Sequence, residues 1–134
     1  MPAVAISIDT ADTFEYASFM AGEHSPDQER AARIAALNDA FRKAGPEAAP
    51  EDWIATIGAL ALSDFPGLVE AVKTFDDFTE DNDPWEEHDF GSIPWDNEKT
   101  YWKIDYYDQQ RMYGEDPLSE LCRRVMTILL AEEY

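Results

Sequence analysis

The chain has 134 residues, 45% of them apolar and 13% aromatic, which suits one buried core without disulfides or metal and argues against a disordered chain. Twenty-nine Asp and Glu stand against ten Lys and Arg, and the resulting charge of −19 opposes direct contact with nucleic-acid phosphates or anionic membranes. The same field favours a basic surface on another protein, approached at a rate that falls as salt rises.

Residues 1–8 carry a short apolar run with no Lys or Arg before it and no small-residue cleavage site after it, so no signal peptide is expected. The single cysteine, Cys122, cannot form an internal bridge, and a cytoplasmic setting is the expectation. Residues 1–25 mix acids and aromatics without a period and read as an N-terminal arm, leaving 26–134 as a single acidic domain. At Ser25-Pro26-Asp27-Gln28 a capping serine, a proline at the first helical position and a capping-box glutamine predict a helix over 26–43. Ile34, Leu37 and Phe41 would form its apolar face, and Gly45-Pro46 would end it.

Residues 53–58 are β-branched and aromatic enough for a strand. Ser63 or Asp64 can cap a second helix with Leu68, Val69, Val72 and Phe75 on its apolar face. Asp76 and Asp77 would then sit at its C-terminal end, opposing the helix dipole by about 0.3–1 kcal/mol. Either a basic partner compensates them or the helix stops earlier. Residues 88–95 and 99–107 read as a hairpin with a turn at 96–98, Trp102, Ile104 and Tyr106 facing the core and Tyr101, Lys103, Asp105 and Tyr107 facing away. Asp116 and Pro117 can start a terminal helix lined by Leu118, Leu121, Cys122, Val125, Ile128 and Leu129. The expected fold is α+β, a small three-stranded antiparallel or mixed sheet with about three helices on one face.

Several blocks carry a family likeness: Leu37-Asn38-Asp39-Ala40-Phe41-Arg42, the acidic stretch 75–84, Glu87-His88-Asp89-Phe90-Gly91, the stretch 102–108 and the terminal 127–134. Over roughly 34–134 the chain resembles a family of small acidic proteins of unknown function from proteobacterial genomes, plasmids and phages. It departs from that pattern between Gly45 and Leu62, where Ala, Pro and Trp53 replace an expected Gly-rich turn and Val-rich strand. The resemblance implies a bacterial, often mobile-element setting, in which small acidic inhibitors of host defence recur. It brings no catalytic residues.

The candidate site is an acidic belt without a single Lys or Arg: Asp76, Asp77, Glu80, Asp81, Asp83, Glu86, Glu87, Asp89, Asp96 and Glu98. Folded back on itself at about 3.3 Å per residue, the belt would space its charges by roughly 3.5 Å, close to the ~3.4 Å between phosphates of one nucleic-acid strand. The leading expectation is therefore a non-enzymatic nucleic-acid mimic for a basic groove of a DNA- or RNA-binding defence protein, of anti-CRISPR or anti-restriction type. Tyr101 and Tyr107, beside the belt, would supply amphipathic contact area. Asp81, Asp83, Glu86, His88 and Asp89 offer hard ligands for an alternative, metal-dependent module, although their spacing matches no known loop. A regulatory adaptor with an inert acidic surface is the third reading. Adjacent acids are expected from composition alone, Cys122 reads as a buried structural thiol, His24 as a surface residue, and no cofactor-binding motif is present.

Overall fold

A computed structural model describes residues 25–134. The arm expected over 1–25, Ser25 apart, and His24 lie outside the described residues. Helix α1 runs Pro26–Ala44, and its capping box is formed as the sequence predicts: Ser25 Oγ accepts from the Gln28 N–H at 3.1 Å, and Gln28 Oε1 accepts from the Ser25 N–H at 2.8 Å. The chain leaves the helix at Gly45, whose φ of 80° suits a residue without Cβ. The buried stripe of α1 differs from the expected one. It consists of Ile34, Ala35, Asn38 and Arg42, while Leu37 is exposed and Phe41 half-buried.

Strand β1 is shorter than predicted, Trp53–Ala55, because Thr56 turns the chain into a one-turn helix, α2 (Ile57–Leu60), by accepting the Ala59 N–H at 3.2 Å. Asp64 caps α3 (Phe65–Lys73), accepting from the Gly67 N–H at 3.1 Å. This helix stops before the acids, with Lys73 in its last turn, so Asp76 and Asp77 do not oppose its dipole.

Strands β2 (Phe90–Trp95) and β3 (Glu98–Tyr107) form the expected hairpin, joined through Asp96 and Asn97, both with positive φ as a tight two-residue turn requires. The predicted terminal helix is absent. Residues 116–122 form turns, and Arg123–Leu130 is a strand, β4. It pairs antiparallel with β3 and parallel with β1, which makes the sheet four-stranded and mixed, in the order β1-β4-β3-β2.

The helical spacing of Leu118, Leu121, Val125 and Ile128 misleads because β4 is an inner strand. With Val125, Met126, Ile128, Leu129 and Leu130 all buried, both faces are apolar and no alternation appears. Trp102 and Ile104 of β3 sit beside Ile128 and Met126 on one face, and Ala59, Leu68 and Val72 cover them, with Phe41 of α1 at the margin. The three helices of the described residues thus share that core face, with α2 in place of the predicted terminal helix. Tyr101, Lys103 and Asp105 face the other way, opposite Leu129, Thr127 and Val125.

Candidate functional site

The acidic belt does not form one face. Its larger part, residues 74–89, is the connection between α3 and β2, whereas Asp96 and Glu98 stand at the hairpin tip, roughly 20 Å of strand away from Asp89. Asp96 there accepts the Ser63 N–H at 2.9 Å. Tyr101 is half-buried on the sheet face turned away from the helices, in contact with Phe90, Tyr134 and the Lys99 ammonium. Tyr107, also half-buried, pairs with Arg123 at the far end of β3. Neither tyrosine adjoins the loop acids as the hairpin pattern suggested.

Within 74–89 the side chains divide by chemistry. Phe75 and Phe78 turn inward, edge-on to one another at 5.1 Å and to Trp102 at 5.5 and 6.2 Å. With those anchors half-buried against the core, Asp76, Asp77, Glu80, Asp81 and Glu86 are exposed. Asn82 fixes the bend between them, accepting from the Thr79 N–H at 2.9 Å and donating to Asp77 O at 2.8 Å. At the apex Trp85 is 79% exposed, a large apolar surface set among carboxylates.

Beneath the loop lies a polar network that ties it to α1. His88, in the left-handed region at φ 57°, stacks on Phe78 at 3.8 Å with the rings 3° from parallel. Its Nδ1 is 3.0 Å from Asp39 Oδ1, and its Nε2 is 3.6 Å from Oδ2 of Asp83. Asp83 itself is only 5% exposed, and its Oδ1 accepts the His88 N–H at 3.2 Å. Burial alone would raise the Asp39 carboxyl, but the hydrogen bonds and charges of His88 and Arg42 outweigh it and hold it below the ordinary range.

Arg42, 1% exposed, completes the tie: Nη2 donates to Asp39 at 2.9 Å, and Nη1 donates to the last carbonyls of α3, Val72 O at 3.1 Å and Lys73 O at 2.9 Å. Its guanidinium also lies over the Phe78 and Trp102 rings.

One turn earlier on α1, buried Asn38 donates to Glu87 O at 2.9 Å and to the Tyr106 hydroxyl at 2.8 Å, and accepts from Arg124 Nε at 2.6 Å. Burial pushes the Tyr106 phenol well up and the Arg124 guanidinium down. Burial, then the Asp83 charge, raises the half-buried Asp89 carboxyl, while burial followed by Asp89 raises Glu87.

Of the metal-ligand candidates, Asp83 and His88 adjoin, Asp81 and Glu86 point to solvent, and Asp89 turns towards Tyr106 at 3.5 Å. Among the described residues no three His, Cys, Asp or Glu side chains are grouped to hold a metal ion. Cys122 is half-buried in the turn before β4 rather than on a helix, and burial raises its thiol pKa. No helix among the described residues is long and apolar enough to cross a membrane.

Asp39, Asn38, Arg42 and Trp85 are site residues outside the belt expected from sequence. Ile34, Asn38 and Arg42 recur at i, i+4, i+8, so two polar residues in register with a buried isoleucine were the available signal of an internal network.

No curated protein and no solved structure matches the chain. A family model described as "Protein of unknown function (DUF3768)" matches residues 54–133, which takes in the loop, His88 and the sheet but leaves Asn38, Asp39 and Arg42 outside. The match spans more than half of the chain, and the protein belongs to that DUF3768 family.

Proposed function

We propose that this protein is a non-catalytic binding protein whose loop 76–87 occupies a basic, nucleic-acid-binding surface of another protein. The observation that carries the reading is Trp85, 79% exposed between acids, while Phe75 and Phe78 of the same connection are half-buried against Trp102. Asp76, Asp77, Glu80, Asp81 and Glu86 supply charge-assisted contacts to Arg and Lys, and Trp85 supplies the desolvated anchor that charge alone lacks. A loop held by Phe78, His88 and Asn82 loses little conformational entropy on binding. Because the acids of the hairpin tip stand apart, the contact is a compact patch rather than a long phosphate-like stripe. The target class is a groove built for a nucleic-acid backbone, such as that of a restriction or CRISPR nuclease.

The test is displacement of labelled duplex DNA from a panel of such nucleases, read by fluorescence anisotropy. The protein should compete, with an apparent affinity that weakens steeply between 50 and 200 mM salt. Combined Asp76→Asn, Asp77→Asn, Glu80→Gln and Asp81→Asn, or Trp85→Ala alone, should weaken competition by about tenfold or more at unchanged melting temperature. Equal competition by these variants, or no displacement anywhere in the panel, overturns the reading.

A further inference from the structure

His88 stands between two carboxylates from different segments, Asp39 of α1 on its Nδ1 side and the buried Asp83 of the loop on its Nε2 side. A carboxylate only accepts, so both contacts are attractive only when both ring nitrogens carry protons. A neutral ring turns one lone pair towards an acid. Asp83 is 5% exposed, and among the described residues His88 is the only basic side chain paired with it. Its burial therefore depends on the imidazolium more than that of Asp39, which also holds Arg42 at 2.9 Å.

Other groups around the ring are Phe78 on its face and, in the adjoining chain, Glu87 and Asp89, both acidic. Beyond Asp39 lies Arg42, and from β3 come Trp102, against Phe78, and Tyr106, which takes its hydrogen bond from Asn38. The groups touching the ring are thus negative or apolar, and the cations beyond them are engaged elsewhere, Arg42 with Asp39, Arg124 with Asn38 and Arg30 with Asp116.

We propose that His88 is a pH-sensitive latch for the acidic loop: its imidazolium docks residues 76–89 onto α1, and loss of its proton releases them. The backbone at Glu86 and His88 is left-handed, φ 60° and 57°, which is uncommon for residues other than glycine. The latch itself is a property of the free protein. Its use as a control on partner binding rests on the proposed function: the loop presents its acids and Trp85 in fixed geometry at mildly acidic pH and loses that order as pH rises.

The experiment is backbone amide hydrogen exchange of the full chain without any partner, corrected for the intrinsic pH dependence of exchange, from about pH 5.5 to about pH 8.5. Protection of residues 76–89 should fall about threefold or more across that range, while β3 and β4 stay protected. His88→Asn, which tolerates the left-handed backbone, should give low protection at every pH, and Asp83→Asn should flatten the dependence. Should His88→Asn fail to fold, Asp83→Asn and wild-type protein decide the matter. Constant wild-type protection, or a His88→Asn profile matching wild type, overturns the latch and leaves the binding reading standing. A loop that releases with pH in a protein that displaces no DNA supports the latch and overturns the binding reading.

Discussion

Gly91 and Trp102 are cross-strand partners, and the indole of Trp102 folds over the glycine so closely that a Cβ on Gly91 would lie 2.6 Å from Trp102 Cε2. The fully buried indole fills the space a side chain on the edge strand would take. Gly91→Ala should therefore push Trp102 off Phe75 and Phe78 and destabilise the protein by about 1–3 kcal/mol. Gly114→Ala is the control, since its Cβ would meet nothing nearer than 3.9 Å and should shift stability by less than about 0.5 kcal/mol. Urea denaturation of the two variants checks both values.

Replacing Arg42 removes the cation from a buried site, takes the guanidinium donors from Val72 O and Lys73 O, and leaves Asp39 with His88 as its one remaining basic partner among the described residues. Arg42→Ala should cost about 3–5 kcal/mol. Arg42→Lys should recover only part of it, because one ammonium cannot span the α3 carbonyls and the Asp39 carboxylate in the plane a guanidinium offers. Thermal unfolding followed by circular dichroism orders the three proteins.

Asp39 and Asp89 should act on acid stability in opposite senses. The Asp39 carboxyl is lowered in the fold, so the stability it contributes is present above its unfolded value near 3.8 and is lost as pH falls below that value. Asp39→Asn should lower stability at pH 7 and flatten the decline on acidification.

The Asp89 carboxyl is raised by burial and then by Asp83, so its ionisation works against the fold as pH climbs from the ordinary carboxylate value through the raised one. Asp89→Asn should be neutral or stabilising by up to about 1 kcal/mol at pH 7, the gain vanishing near pH 3.5. A loss of stability at pH 7 equal to that at pH 3.5 would show that the Tyr106 contact outweighs the charge.

Cys122, whose thiol pKa is raised chiefly by burial, should react with a disulfide reagent at pH 7.5 more slowly than a free cysteine. Urea sufficient to unfold the chain should restore the ordinary rate.

The sequence reading succeeded where one local signal decided the outcome. Ser25 with Gln28 started α1, Asp64 capped α3, and the alternation around Trp102 and Ile104 marked the inward face of the hairpin. It failed at β4, where burial on both faces erased the period, and it placed β1 but ran it too long, because Thr56 caps α2 directly after Ala55. The site was half legible for the same reason. The acids were countable, but the division into exposed Asp81 and buried Asp83 depends on His88 meeting Asp39 across 49 residues.

The order of strands also sets a timetable for the nascent chain. Trp53 of β1 finds its partner only when Met126 has been made, a wait of roughly 4–15 s at about 5–20 residues per second. Over that interval the hairpin β2–β3 can close locally through its two-residue turn, while the flank of β3 meant for β4 stays unpaired. The last strand then enters as a wedge between two pieces already synthesised. The sheet therefore cannot be completed before β4 has been made.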